Sequence, residues 1–258
     1  MDKKKFIFTI DDNIRFFREI SVNNLKSIFM HPYVKMLKNL HEKFGVKIQL
    51  NLFYEDDSFN LSQFSDKYFE EWKNNADWLK LSFHSKEENI CPYEDASYEQ
   101  VDNECEQVQR EILRFAGNDS LAQTTTIHYC QTTKEGLNAL KDNGIKGLLG
   151  LYGNEEEPQK SYLTPDKNCC AIRKGEIVHV GGMAFAGIDI VLNCFSVAEN
   201  LQQLQALKNR NVIKLMIHEQ YFYEDYLHYQ ANFQEKIETA FCFLESQDFT
   251  SCFFEELI

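Results

Sequence analysis

The chain has 258 residues, 43% hydrophobic and 14% aromatic, enough apolar side chain to bury a sizeable core. Against 27 basic residues stand 40 acidic ones, and the net charge of −13 argues against a phosphate-tracking nucleic-acid binder and against an anionic membrane surface. Small neutral or cationic ligands are easier to accommodate. No apolar run approaches the about 18 residues of a membrane helix, and the one after Lys3-Lys4-Lys5 is too short for a secretory signal. The eight cysteines show no Cys-x-x-Cys spacing, which predicts reduced, mostly buried thiols in a cytoplasmic protein.

In chain order, eight short apolar or alternating runs predict strands around 5–10, 47–54, 78–84, 124–130, 147–152, 187–193, 212–218 and 250–255. Helical patterns fall between them. Val34, Met36, Leu37, Leu40 and Phe44 follow the first run. Ser97-x-x-Gln100 reads as a capping box before Val101, Cys105, Val108, Ile112 and Phe115. Thr132-x-x-Glu135 opens a short helix that Gly144 ends. Leu201, Leu204 and Leu207 form a later stripe, and Phe233, Ile237, Phe241 and Leu244 the last. Strands alternating with helices predict parallel pairing and an α/β fold, a distorted (β/α) barrel of seven to eight mainly parallel strands. An open doubly wound sheet is the competitor, but no Gly-rich phosphate loop follows the first strand. With four prolines and no linker, residues 1–258 read as a single domain with an insertion or lid at about 153–180.

In such barrels the reacting groups sit where strands end. The apolar runs end in Asp11 and Asp12, Asn51, His84, His128, and His218 with Glu219, while Asp189 lies inside one. Three of the seven histidines close a strand: Leu-Ser-Phe-His84, Thr-Thr-Ile-His128 and Leu-Met-Ile-His218. Imidazoles and a carboxylate as ligands, a second carboxylate as base and a spare imidazole as acid make a hydrolytic metal site. Each has a plainer reading: Asp11-Asp12 as an Asx-turn and helix cap, Asp189 as a structural ion pair, and Tyr221, Tyr223, Tyr226 and Tyr229 as packing instead of a sugar-stacking surface.

At these residues the chain resembles the polysaccharide deacetylase (NodB-homology) superfamily of metal-dependent carbohydrate esterases. Phe8-Thr-Ile-Asp-Asp12 has the form of that family's Thr-Phe-Asp-Asp motif, His84-Ser-Lys-Glu-Glu88 that of its His-Ser/Thr-x-x-His motif in part, and Leu215-Met-Ile-His218 that of its last motif. The resemblance implies a distorted (β/α) barrel, Asp11 as general base, Asp12 and His84 as metal ligands, and His218 as general acid. Glu88 stands where the family has its second histidine, so the third ligand is Glu88, His128 or water. Ile127-His-Tyr-Cys130 carries neither the arginine nor the prolines of the third motif, and Asp189 lies roughly where a fourth-motif aspartate is expected.

The expected activity is hydrolysis of an N- or O-acetyl group on a small saccharide or related metabolite. The expected cofactor is a divalent metal, zinc first and cobalt, nickel, manganese or iron as alternatives. Asn51, Asp189, Glu219 and Tyr221 are the expected substrate contacts. The alternatives are a non-catalytic carbohydrate-binding barrel and a glycoside hydrolase pairing Asp11 with Asp189 or Glu219.

Overall fold

The computed structural model describes residues 4–88, 93–154 and 156–258. Its strands are β1 (Lys5–Asn13), β2 (Ile48–Phe53), β3 (Glu55–Asp56), β4 (Phe59–Asn60), β5 (Leu79–Ser85), β6 (Thr124–Thr125), β7 (Gly147–Gly150), β8 (Val178–Val180), β9 (Met183–Gly187), β10 (Ile190–Val191), β11 (Val212–His218) and β12 (Thr250–Ser251). Its helices are α1 (Arg15–Val22), α2 (Pro32–Phe44), α3 (Phe69–Lys73), α4 (Tyr98–Phe115), α5 (Lys134–Asp142), α6 (Asp166–Arg173), α7 (Val197–Leu207) and α8 (Phe233–Ser246).

The central sheet runs β10-β11-β1-β2-β5, with β12 beside the start of β1, and all its pairings are parallel. A second sheet, β6-β7-β9-β8, is parallel except at β8–β9. The sheets meet at one edge where Leu81 bridges Leu121. At the other, Ile188 donates its N–H to Gly150 and Asp189 donates its own to Lys214. β2 is buried at every residue and β1 at all but its first, because both faces are covered: Phe6 and Phe8 pack on Phe241 of α8, while Ile7 clusters with Leu149, Ala184 and Ala186 of the second sheet. That is why these strands read as apolar runs with little alternation.

The helices follow the predicted stripes. On α4, Val101, Cys105, Val108, Ile112 and Phe115 are buried, and Ser97 accepts the Gln100 N–H as N-cap. The cap of α5 is Thr133, one residue beyond the expected Thr132, and Gly144 follows its end at φ 83°. Phe233, Ile237, Phe241 and Leu244 bury one face of α8.

Several strand expectations change, among them the run 250–255, which is a strand only at β12. The strand expected over 124–130 is only β6, because Tyr129 and Cys130 take left-handed φ values of 60° and 55° and turn the chain out of the sheet. The run 187–193 is divided between the end of β9 and β10. The body of β9 was not expected, since Met183-Ala-Phe-Ala-Gly187 lacks β-branched residues. Residues 153–180 contain α6 and β8, whose antiparallel pairing extends the second sheet.

Candidate metal centre

Successive residues of a regular strand face opposite ways, so Asp11 and Asp12 should not share a cavity. They do, because β1 slips register against β2 between Ile10 and Asn13 and Asp12 takes φ 64°. Left-handed backbone at a non-glycine residue costs on the order of 1–3 kcal/mol and persists only where its surroundings enforce it. Here Asn13 Nδ2 donates to the carbonyls of Ile10 (2.6 Å) and Asn51 (3.1 Å), and Tyr33 donates its hydroxyl to Asn13 Oδ1 at 2.9 Å. Immediately beyond, the backbone N–H groups of Ile14, Arg15 and Phe16 all donate to the Glu219 carboxylate, at 2.8, 3.1 and 2.8 Å.

The bulge brings Asp12 to two histidines. His84 Nε2 lies 3.0 Å and His128 Nδ1 3.5 Å from Asp12 Oδ1, and the two nitrogens are 3.1 Å apart. A tetrahedral ion with bonds of about 2.0–2.1 Å holds its ligands roughly 3.3 Å from one another, the spacing of this triangle. The histidines are set by their outer nitrogens. His84 Nδ1 donates to the Thr126 carbonyl, and His128 Nε2 donates to the Glu88 carbonyl at 2.8 Å. Each inner nitrogen therefore presents a lone pair, in the arrangement by which metal-binding histidines are fixed. Asp12 Oδ1 is buried and receives no well-formed hydrogen bond. Two facing lone pairs and a bare carboxylate oxygen repel unless a cation, or a shared proton, lies among them.

The titration behaviour agrees. Burial opposes charge on both Asp12 and His84. The histidines nevertheless hold Asp12 below the ordinary aspartate value, while Asp11, Asp12 and the Thr126 carbonyl hold His84 above the ordinary histidine value. Burial and the neighbouring His84 push His128 down to about 4, leaving it a neutral donor. Among the described residues, this donor set suits a divalent ion with mixed imidazole–carboxylate preference.

Asp11 and His218, partners across β1 and β11, complete the cavity of about 280 Å³. Asp11 is buried, which raises its pKa, and Asn51 Nδ2 donates to its Oδ1 at 2.6 Å. His218 Nδ1 donates to Asn193 Oδ1 at 2.9 Å. The rim carries Tyr129, Tyr221 and Tyr226.

Of the expected substrate contacts, only Tyr221 lines this cavity. Asn51 lies behind Asp11, with its own Oδ1 accepting from Gln49. Glu219 is fully buried at the start of α1, where Tyr223 also donates to it at 2.6 Å. Asp189 is elsewhere, paired with Arg210 and with the buried Lys214 at 3.1 Å. Both carboxylate partners considered for a glycosidase pair thus lie outside the cavity that holds Asp11. Glu88 lines it, but its carboxylate is not one of the clustered donor groups. Asn193 and the Thr126 carbonyl were missed in the sequence. An asparagine after an apolar run offers a weak signal, and a backbone carbonyl offers none.

No protein-family model matches this sequence, and no curated protein does. Solved structures do match the fold. Over 99% of this chain and 68% of the other, it resembles a mutant CE4 family pseudoenzyme with restored enzymatic activity, at a TM-score of 0.56 and 13% identity. A family 4 acetyl xylan esterase from Clostridium thermocellum, in complex with a cobalt ion, matches over 98% of this chain and 90% of its own at 0.53 and 12%. A 4-alpha-glucanotransferase from Thermococcus litoralis matches over 99% of this chain and 40% of its own at 0.64 and 14%. The chain thus has the α/β fold, built on a mainly parallel sheet, that CE4 family deacetylases and esterases share.

Proposed function

We propose that this protein is a metal-dependent hydrolase that removes an acyl group from nitrogen or oxygen on a small saccharide or related metabolite. The observation that carries this reading is the convergence of three metal-competent donor atoms with a buried carboxylate and a strand-end imidazole on one cavity. The fold of carbohydrate esterases and the cobalt ion in one of them support it. The two edge contacts between the sheets support the expected distorted barrel.

A divalent metal, zinc above the alternatives, held by Asp12, His84 and His128 would polarise the acyl carbonyl and lower the pKa of water. Asp11 takes the proton from the attacking water as the new O–C bond forms. Asn51 holds that carboxylate in place. His218, its Nδ1–H fixed on Asn193, delivers a proton from Nε2 to the leaving nitrogen or oxygen as the acyl bond breaks. The products are a carboxylic acid and a free amine or alcohol. Tyr129, Tyr221 and Tyr226 present rings at the cavity mouth against which a sugar face can pack.

Metal analysis alongside turnover of N- and O-acetylated sugars tests this reading. Asp11→Asn should retain metal and lose about 10²–10⁴-fold in turnover. A wild-type protein that takes up no divalent metal on reconstitution would overturn it in favour of a carbohydrate-binding barrel.

A further inference from the structure

The charges around the cavity are unbalanced. Asp11, Asp12 and Glu88 line it, and no lysine or arginine does so among the described residues. The neighbouring stretch 89–92, Asn-Ile-Cys-Pro, adds no charge. A divalent ion on the histidine–aspartate triad sits on Asp12, and the proton His218 carries as acid faces Asp11 across β1 and β11, which leaves one carboxylate without a positive partner of its own. That one is Glu88, since Asp12 belongs to the triad and Asp11 is tied to Asn51. Among the described residues the Glu88 carboxylate has one hydrogen-bond partner, Gln220, whose Nε2 donates to Oε1 at 2.8 Å, and its second oxygen has none. Arg15, whose charge acts on it, is engaged by Asp225 at 2.5 Å.

From this geometry we infer that Glu88 is a specificity-determining residue that selects acylated amines or amino sugars carrying a second, free ammonium group. The inference rests on the hydrolase reading of the same cavity and deepens it. An exposed carboxylate on the cavity lining with an open oxygen attracts an ammonium and repels phosphorylated or acidic analogues. The chain's net charge of −13 works in the same direction at long range. Cavity size limits the bound portion to one sugar ring or a short amine chain. The Glu88 carboxylate takes no part in the metal triad or at the reacting bond in this assignment, its carbonyl alone meeting His128; it holds the substrate's remote charge.

Two paired measurements on metal-loaded protein test it. The first is binding, by NMR titration, of choline and of its uncharged isostere 3,3-dimethylbutanol, which have no bond to hydrolyse. The second is kcat/KM for N-acetyl-1,4-diaminobutane against N-butylacetamide. Wild type should favour the cation about tenfold in each pair, less at high salt, and Glu88→Gln should bring both ratios near one. Ratios near one in wild type would overturn the inference. So would a preference that survives Glu88→Gln, which would move the selection to the tyrosine rim. A binding preference without turnover of any acylated compound would count against the hydrolase reading and leave the role of Glu88 standing.

Discussion

Replacing Glu219 with glutamine changes one atom, and its cost can be worked from the contacts. Oε2 accepts from the N–H groups of Ile14 and Arg15, and Oε1 from the Phe16 N–H and the Tyr223 hydroxyl. All four partners donate, so an amide NH2 in either position faces two donors and satisfies neither. Each hydrogen bond to a charged group contributes about 1.5–3 kcal/mol, and a buried donor left unpaired costs about 1–3 kcal/mol. Tyr223 can rotate its hydroxyl away, which reduces the sum. The expected destabilisation is about 3 kcal/mol, or roughly 6–12 °C in Tm for a chain of this size. Because the same carboxylate anchors the backbone two residues beyond Asp12, metal affinity should fall with it. Urea unfolding at neutral pH, with and without metal, measures both. A loss below about 1 kcal/mol with unchanged metal affinity would refute the clamp, since surface substitutions stay within about 0.5 kcal/mol.

Alanine at His84 or His128 should lower metal affinity more than about 100-fold, whereas Glu88→Ala should retain metal because only its backbone carbonyl holds His128; metal content after dialysis decides. Asn193→Ala frees the His218 ring and should lower kcat about tenfold with KM little changed, and Asn193→Asp, which keeps an acceptor against Nδ1, should restore much of it; steady-state kinetics on both variants decide. The stability of metal-free protein should depend on pH through opposed shifts. The raised pKa of His84 gives stability that is full below about 6.5 and lost as pH rises through its folded value. The lowered pKa of Asp12 gives stability present above about 3.8 and lost as pH falls through its folded value. The lowered pKa of His128, about 4, works against the His84 gain by removing stability as pH falls from about 6.5 to 4, so the clear expectation is for metal: its stabilising increment should grow with rising pH as the His84 proton ceases to compete, which scanning calorimetry with and without metal checks.

Much of the site was legible because its members end apolar runs, and a parallel sheet gathers such ends. Asp11, Asp12, His84, His128 and His218 were found that way, and they do meet. Glu219 has the same sequence signature but follows His218 into a 3-10 turn and faces the start of α1, while Asp189, inside an apolar run, faces Arg210 and Lys214. Side-chain direction after a strand leaves the sheet has no periodicity to read. The shortness of β6 was hidden because Tyr129 and Cys130 give no glycine or asparagine signal for their left-handed backbone. Strand β9 was hidden because alanine and glycine do not mark a strand.

The two carbonyls that orient His84 and His128 come from different loops, Thr126 after β6 and Glu88 after β5; Thr126 reaches His84 near the end of β5, and Glu88 reaches His128 in the turn after β6. The two loops are stitched crosswise through imidazole rings. Surface loops ordinarily accept added or deleted residues at small entropic cost, since closure entropy grows slowly with length. Here a one-residue change in either loop displaces a carbonyl and rotates the ligand it orients. These two connections should therefore be intolerant of length variation, and a library of single insertions should find its permissive positions elsewhere on the same rim.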